Sequence, residues 1–538
     1  MPNLYPKYLL CILSFFAAAI ASAQVVTDST AKTVLQIISA KRYNFQNRDT
    51  ATFISLAGDV TLRKERTLFY CDSAVVNQQQ NTVEAFGRVH INDADSVHTY
   101  ADYMRYVGKE KKAYLRNNVR LTEKNGVLTT NELEYEIQTK IGIYKKGGKI
   151  VRGKAVLTST EATYYGDTRD VYFRKKVVLV DPDYTLKTDT LLYNMETEVA
   201  RFLAYTTIVS PQRTVRTNEG YYDRKAKKAV FGKRSTVIDK DFELTADNMA
   251  FDDASGFGQA QGKAIYRTKD TVNRTTVIAD DIKFNRNASS FLASLSPVMI
   301  LEQNRDSIFI AADTLYSAKL SDLRKERNVP VIRDSVYLRS VADAQKKDTS
   351  SNRFFEAYFN VRIYTDSMQA VGDSLFYSLE DSTFRLFKDP VVWTDNNQLT
   401  GDTIYLFTLN KKPERLQVFE NGMAISLVSG DYFNQVKGTT INGYFVDGNI
   451  SFLRAKGNGE SVYYAQDEDS SYIGVNKSTA DVIDMYFESK KPQRVVFRND
   501  LTGTTYPMRQ VNHIELRIRG FKWLEQRRPK SWTEFIKI

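Results

Sequence analysis

Apolar and polar residues alternate along this chain in runs too short for a helix, and the runs return at a fixed interval. Six segments share one order: a small residue, then Asp, Asn or Thr, any residue, an apolar or small one, any residue, and an aromatic. They open at Ala101, Thr130, Ser159, Thr188, Thr217 and Ala246. Their second positions, Asp102, Asn131, Thr160, Asp189, Asn218 and Asp247, advance by a constant 29 residues. A fixed period of this length marks an array of stacked units. Looser copies begin at Asp72 upstream and at Asp280, Asp313, Asp373, Asp402 and Asp481 downstream. There the step lengthens, first to 33 after Asp247.

Within each unit the alternation has period two, as a half-buried strand requires. Counted from the Asp, Asn or Thr, the +1 residues are mostly polar: Tyr103, Glu132, Glu161, Thr190, Glu219, Asn248 and Asp281. The +2 residues are Met104, Leu133, Ala162, Leu191, Gly220, Met249 and Ile282, continued by Leu315 and Leu375. In the seven copies from Asp102 to Asp280 the +4 residues are all aromatic: Tyr106, Tyr135, Tyr164, Tyr193, Tyr222, Phe251 and Phe284, and Tyr377 holds the same place after Asp373. One face is therefore an apolar and aromatic ladder and the other is polar. The short polar residue at the head of each segment bonds its own backbone readily, and with the small residue before it marks a corner. Other strand-like runs, such as Ala113–Leu121 and Val171–Leu179, complete each unit. The expected fold is all-β, a stacked antiparallel array with two to three strands of about ten residues or fewer per unit.

Two regions break the rhythm. Residues 321–352 are charged and contain Pro330 and the run Lys346-Lys347-Asp348-Thr349-Ser350-Ser351. They read as an insertion or linker between two consecutive arms, 24–320 and 353–508. Residues 509–538 carry eight Lys and Arg against three Asp and Glu, with Phe521, Trp523, Leu524, Trp532 and Phe535 interspersed. They suit either a cap over the open end of the array or a basic amphipathic helix at a membrane surface.

The N-terminus sets the compartment. Lys7, an apolar run from Tyr8 to Ile20, and Ala21-Ser22-Ala23 form the charged, apolar and cleavage regions of a secretory signal peptide covering residues 1–23. Beyond it Cys71 is the remaining cysteine, so no intramolecular disulfide forms and a buried strand position is expected for it. The net charge of +11 favours anionic partners, but Lys and Arg are scattered among Asp and Glu rather than gathered in a nucleic-acid stripe. The three histidines, His90, His98 and His513, show no metal-ligand spacing, and no nucleophile or phosphate-loop motif appears. No enzyme activity, cofactor or metal is expected. A cation on the Asp ladder is disfavoured because Asn and Thr replace the carboxylate in alternate copies.

Three stretches carry a resemblance: Gly58-Asp59-Val60-Thr61-Leu62, Cys71-Asp72-Ser73-Ala74 and Ala85-Phe86-Gly87-Arg88-Val89-His90-Ile91. Together they resemble the OstA/LptA periplasmic domain, with its G-x-V-x-[LI] strand, A-D-x-[AL] corner and A-x-G-x-V return. Asn360–Ile363 with Val371–Tyr377 is similar, and Ala260-Gln261-Gly262-Lys263-Ala264 echoes the return strand. The resemblance implies a β-taco or open jelly roll whose interior takes the acyl chains of lipid A. It also implies a periplasmic place in lipopolysaccharide transport and outer-membrane assembly, lipopolysaccharide as cargo, and end-to-end strand pairing with other β-taco proteins. An outer-membrane barrel is a further partner it suggests. The chain is longer than the small bridging member and too short for the large barrel of the outer-membrane member. On this view the trough-lining candidates are Met104, Tyr106, Leu133, Tyr135, Tyr164, Leu191, Tyr193, Tyr222, Met249, Phe251, Ile282, Phe284, Leu315, Leu375 and Tyr377. Two rivals remain open: a structural rod with a dry core, since inward Leu, Met and Tyr are ordinary core residues, and a membrane β-barrel. The barrel fits poorly with outward Glu, Thr and Asn.

Overall fold

A computed structural model describes residues 35–536, except 49–50, 94, 96, 124–125, 272, 304–305, 330–351, 410–411, 447–448, 468, 470 and 489–490. The signal-peptide expectation for residues 1–23 lies outside the described residues, as does most of the charged insertion.

The chain is an all-β antiparallel meander in which each strand pairs with the strand before it and the strand after it. The repeat consists of two bent strands. Thr82–Asp93 and Val97–Val107 make one unit, and Lys112–Glu123 and Gly126–Glu136 the next. At about 4.8 Å between strands, one repeat advances the stack by roughly 10 Å.

Every strand folds at its middle, and the bend is visible as a slip in the pairing register. The slips fall at Ala57/Val60, Phe86/Val89, Arg116/Val119, Arg174/Val177, Gln261/Ala264 and Tyr358/Val361. The residues passed over lie in the left-handed region in consecutive pairs: Gly58-Asp59, Gly87-Arg88, Asn117-Asn118, Lys175-Lys176, Gly262-Lys263 and Phe359-Asn360. This is a β-bulge repeated once per unit. A glycine serves where space is shortest: a Cβ on Gly262 (φ +74) would stand 2.7 Å from the Asp247 carboxylate. The corner assigned to the small-plus-Asp pair forms the other side of this bend. The amides of Thr160, Asp247, Asp313 and Asp402 donate to the carbonyls of Lys175, Gly262, Phe359 and Glu420 on the following strand. The side chains of Asn118, Asn360 and Asn421 reach across to Asp102, Asp313 and Asp402.

The bend divides the sheet into two leaves that face each other. The front leaf holds the residues after each corner Asp, Asn or Thr, including the +2 and +4 ladders. The back leaf holds Val60–Lys64, Val89–Asp93, Val119–Glu123 and their equivalents. Apolar residues of both leaves meet in one core: Leu62, Phe69 and Val89 pack with Met104, Leu115 and Leu133. The packing continues from Tyr144 to Met485. Cys71 is buried there, and burial pushes its thiol up to about 11, so it is a structural residue.

The insertion expected to separate two arms interrupts the sequence but not the sheet. Thr314–Lys319 pairs directly with Arg353–Tyr358, and a short helix, Leu320–Glu326, leaves from that hairpin. Leu320 and Leu323 of the helix pack on Phe354 and Phe376, on the outer side of the front leaf. Strand pairing, once begun, needs only the next strand to be within reach, so a long excursion from a hairpin leaves the ladder intact.

The C-terminal segment also differs from both expectations for it. After Thr502–Tyr506 it is neither a long helix nor a cap on the end of the stack. It runs back along the outer face of the back leaf as an irregular strap. Leu516 and Ile518 cover Met423, Ile425 and Phe433; Leu524 covers Trp393; Phe535 reaches Val298 and Ala311. In that region the back leaf is apolar on both faces, which a two-layer reading of the sequence does not anticipate. No helix among the described residues is long and apolar enough to cross a membrane.

Candidate functional site

The +2 residues form the floor of the interleaf space. Met104, Leu133, Leu191, Met249, Ile282, Leu315 and Leu375 are all buried between the leaves. Ala162 fills the same position and is buried, while Gly220 takes φ +144 where a Cβ would meet the Val230 carbonyl. Period two therefore places the ladder where alternation predicts.

The +4 aromatics stand two residues nearer the free ends of the strands, where the leaves part. Tyr106, Tyr193 and Phe251 are buried, and Tyr135, Tyr164, Tyr222, Phe284 and Tyr377 are half-buried. Burial raises the phenols of Tyr135 and Tyr164 to about 12 and pushes those of Tyr193 and Tyr222 upward as well. Their hydroxyls turn outward to the mouth of the taco. Tyr164 donates to Glu123 at 2.7 Å, and Lys64 bonds the hydroxyl of Tyr106. Tyr193 feels the charge of Arg152, Tyr222 that of Asp181, and Tyr135 that of Asp93. The tyrosine ladder is thus a roof over the interior rather than its floor.

Charged residues close the roof in the units that follow. Glu123 of the back leaf pairs with Arg169 of the front leaf, and Arg152 of the back leaf lies 3.7 Å from Glu198. Asp181 lies 3.4 Å from Arg224, which also holds Glu198 at 2.5 Å, and Arg213 lies 2.6 Å from Asp253. From Glu123 to Arg213 the sign on the back leaf alternates from one rung to the next. Sequence reasoning missed these residues, although the signal was present: Lys64, Asp93, Glu123, Arg152 and Asp181 advance by 29 or 30 residues, as the aromatics do. They escape notice because their charges differ, so they share no residue type.

A cavity between the leaves, lined by Phe69, Ile91, Thr99, Leu115, Tyr135 and Ile137 among others, measures about 20 Å³. That is room for a single water, not for an acyl chain. It lies where the first units meet, at the N-terminal end of the ion-paired roof.

The outward +1 residues carry a second periodic set of contacts. Glu132, Glu161 and Glu219 pair with Lys146, Lys175 and Lys233 at 2.9, 2.6 and 2.6 Å. These are exposed pairs worth little individually, and they keep the front face polar. Among the described residues no group of three or more His, Cys, Asp and Glu gathers as a metal site.

Comparison with known proteins gives a result for the first part of the chain. Residues 32–189 and 164–247 match the model of the family described as OstA-like protein. No curated protein matches the sequence. Among solved structures, the chain is similar to LptH from Pseudomonas aeruginosa, described as the LptA homologous periplasmic component of the conserved lipopolysaccharide transport device. The two share 12% identity over 32% of this chain and 80% of that one, with a TM-score of 0.13. The family match spans the same units whose corners, bulges and aromatic ladder repeat with the most regular step. Over residues 32–247, this chain is similar to the OstA-like family.

Proposed function

We propose that the chain is a periplasmic lipid-binding and bridging protein of lipopolysaccharide transport and outer-membrane assembly, holding acyl chains between the two leaves. The observation that carries this is the apolar interior between the leaves, two clusters lying end to end and meeting at Leu128, in a chain whose first units match the OstA-like family. Each CH₂ moved from water into such an interior gains about 0.8 kcal/mol, so a few acyl chains bind firmly without any catalytic group. Because the cavity beside Tyr135 has room for about one water, loading there requires the leaves to part. Parting starts most readily around the small cavity beside Tyr135, ahead of the ion-paired rungs that begin at Glu123. Lys64 and Arg152 at the mouth suit the phosphates of lipid A.

The ends of the stack suit end-to-end strand pairing with other β-taco proteins and, at one end, an outer-membrane barrel. The first strands, Gln36–Ser39 and Arg42–Arg48, pair with Ala51–Lys64 on one side, and Tyr43 and Phe45 are exposed there. An exposed edge of this kind accepts a further strand.

The closed roof favours one other reading, a structural rod whose interior stays dry. Site-specific photocrosslinking in living cells separates the two. Probes at Tyr135 and Tyr193 should yield lipopolysaccharide adducts, while probes at Glu132 and Glu161 on the outer face should not. A folded, exported protein with no adduct at either tyrosine is a dry rod.

A further inference from the structure

Two of the three histidines meet on the outer face of the back leaf, away from the interleaf core. His90 lies on Thr82–Asp93 and His98 on the adjacent Val97–Val107, where His90 pairs with Tyr100 and His98 with Asn92. The two residues are therefore diagonal neighbours on one face. Nε2 of His90 and Nδ1 of His98 stand 3.2 Å apart. Tyr100 stacks on His90 at 4.5 Å with the rings 8° from parallel, and Tyr70 stacks at 5.3 Å. Strand register and ring stacking together fix both imidazoles.

Two ring nitrogens this close share either a proton or a metal ion. With nitrogen ligands at about 2.05 Å, a tetrahedral Zn²⁺ separates neighbouring donors by about 3.3 Å, so a small rotation of the rings is enough to admit the ion. Both side chains are half-buried, leaving an approach from solvent. Neither histidine takes part in the roof or the core; both sit in an outward ring stack with Tyr70 and Tyr100.

We propose that His90 and His98 form a two-histidine site for a late first-row divalent cation, Cu²⁺, Ni²⁺ or Zn²⁺, with water completing the coordination. Imidazole pairs favour these ions over Mg²⁺ and Ca²⁺. A bound ion links two adjacent strands of the first units and stabilises them by mass action.

Titration of the folded full chain with Cu²⁺ alone tests this. One saturable equivalent is expected, with a paramagnetic resonance signature of two imidazole nitrogens. His90→Gln and His98→Gln should each weaken binding by about tenfold or more, since each removes one arm of the chelate, and His513→Gln should leave it unchanged. Equal binding by wild type and the double variant overturns the proposal. So does a signature with fewer than two imidazoles in the wild-type chain, a readout that does not depend on the variants folding.

Discussion

The hydroxyl of Tyr164 on the front leaf donates to Glu123 Oε2 on the back leaf at 2.7 Å, across the mouth between the leaves and 41 residues away in sequence. Arg169 holds the same carboxylate. One rung thus combines a phenol, a carboxylate and a guanidinium, and it joins the two leaves above their apolar floor. Tyr164→Phe removes one hydrogen bond and keeps the ring, so a local loss of about 1 kcal/mol is expected. Hydrogen exchange is the appropriate measurement, because a repeat array opens by units rather than all at once. Faster exchange should appear in Glu161–Tyr165 and Lys112–Glu123 and leave the strands beyond residue 353 unchanged. If the leaves part to admit lipid, the same variant should also load faster.

Arg213 and Asp253 form the last rung of this series, 2.6 Å apart and both largely shielded from solvent. Arg213→Asp should destabilise the units from Arg213 to Asp252 by like-charge repulsion, and Asp253→Arg should do the same. The double exchange should recover much of the loss, with a coupling of about 1 kcal/mol. Recovery will be incomplete because Arg213 also lies 5.9 Å from the Phe251 ring. Added salt should shrink the coupling. Additive effects of the two single variants would show that the rung contributes nothing to closure.

The fold was largely legible because each repeat writes the same constraint again. A single Ala246-Asp247 is a common dipeptide; six copies 29 residues apart locate a corner, and the alternation around Met249 and Phe251 assigns a face. The distinction between floor and roof was not legible. Tyr106 and Met104 share a face, and what separates them is distance from the bend, which period two does not encode. The strap was hidden for a related reason. Residues 509–538 have no periodicity because their partners are set by the leaf beneath, and Trp393 and Phe433 show no sign in sequence of facing away from the interleaf core. The pairing of Thr314–Lys319 with Arg353–Tyr358 across the insertion leaves no local mark in sequence, because composition changes sharply there.

Asp484 lies on the front leaf among the last long strands, with its side chain fully buried. Arg454 holds it at 2.7 and 2.9 Å and Arg498 at 2.9 Å. These bonds, Arg454 first, hold its carboxyl below the usual carboxylate range. A carboxyl with a depressed folded pKa contributes stability above its unfolded value, about 3.9, and loses it as pH falls through the folded value. Asp484→Asn should therefore destabilise the C-terminal units by about 2 kcal/mol at pH 7. The gap from wild type should close below about pH 4. Unfolding monitored as a function of pH checks this; a gap that does not shrink at all as pH falls from about 5 towards the acid limit of folding would assign the loss to packing instead of charge.

Three glutamines explain why the C-terminal strap takes one path. Gln369, Gln398 and Gln435 are buried in a single cross-strand row on the outer face of the back leaf, separated by Trp393 and Ile425. The Gln398 amide donates to the carbonyl of Lys522 at 2.7 Å and accepts from the amide of Leu524 at 2.6 Å, as a neighbouring strand would. Gln435 accepts from the amide of Ile518 at 2.9 Å, and Gln369 accepts from the Arg528 guanidinium at 2.8 Å. Side-chain amides thus satisfy backbone groups of a segment that belongs to no sheet, and an irregular chain lies flat on this face. Gln398→Leu keeps the volume but leaves the Lys522 carbonyl and the Leu524 amide without partners. A cost of about 2 kcal/mol to strap docking is expected. Limited proteolysis should then cut faster between Arg519 and Arg528, and Trp523 fluorescence should shift to the red as Phe433 loses its cover. An unchanged cleavage rate would mean that Leu516, Ile518 and Phe535 hold the strap by apolar burial alone, with the glutamine row serving only its register.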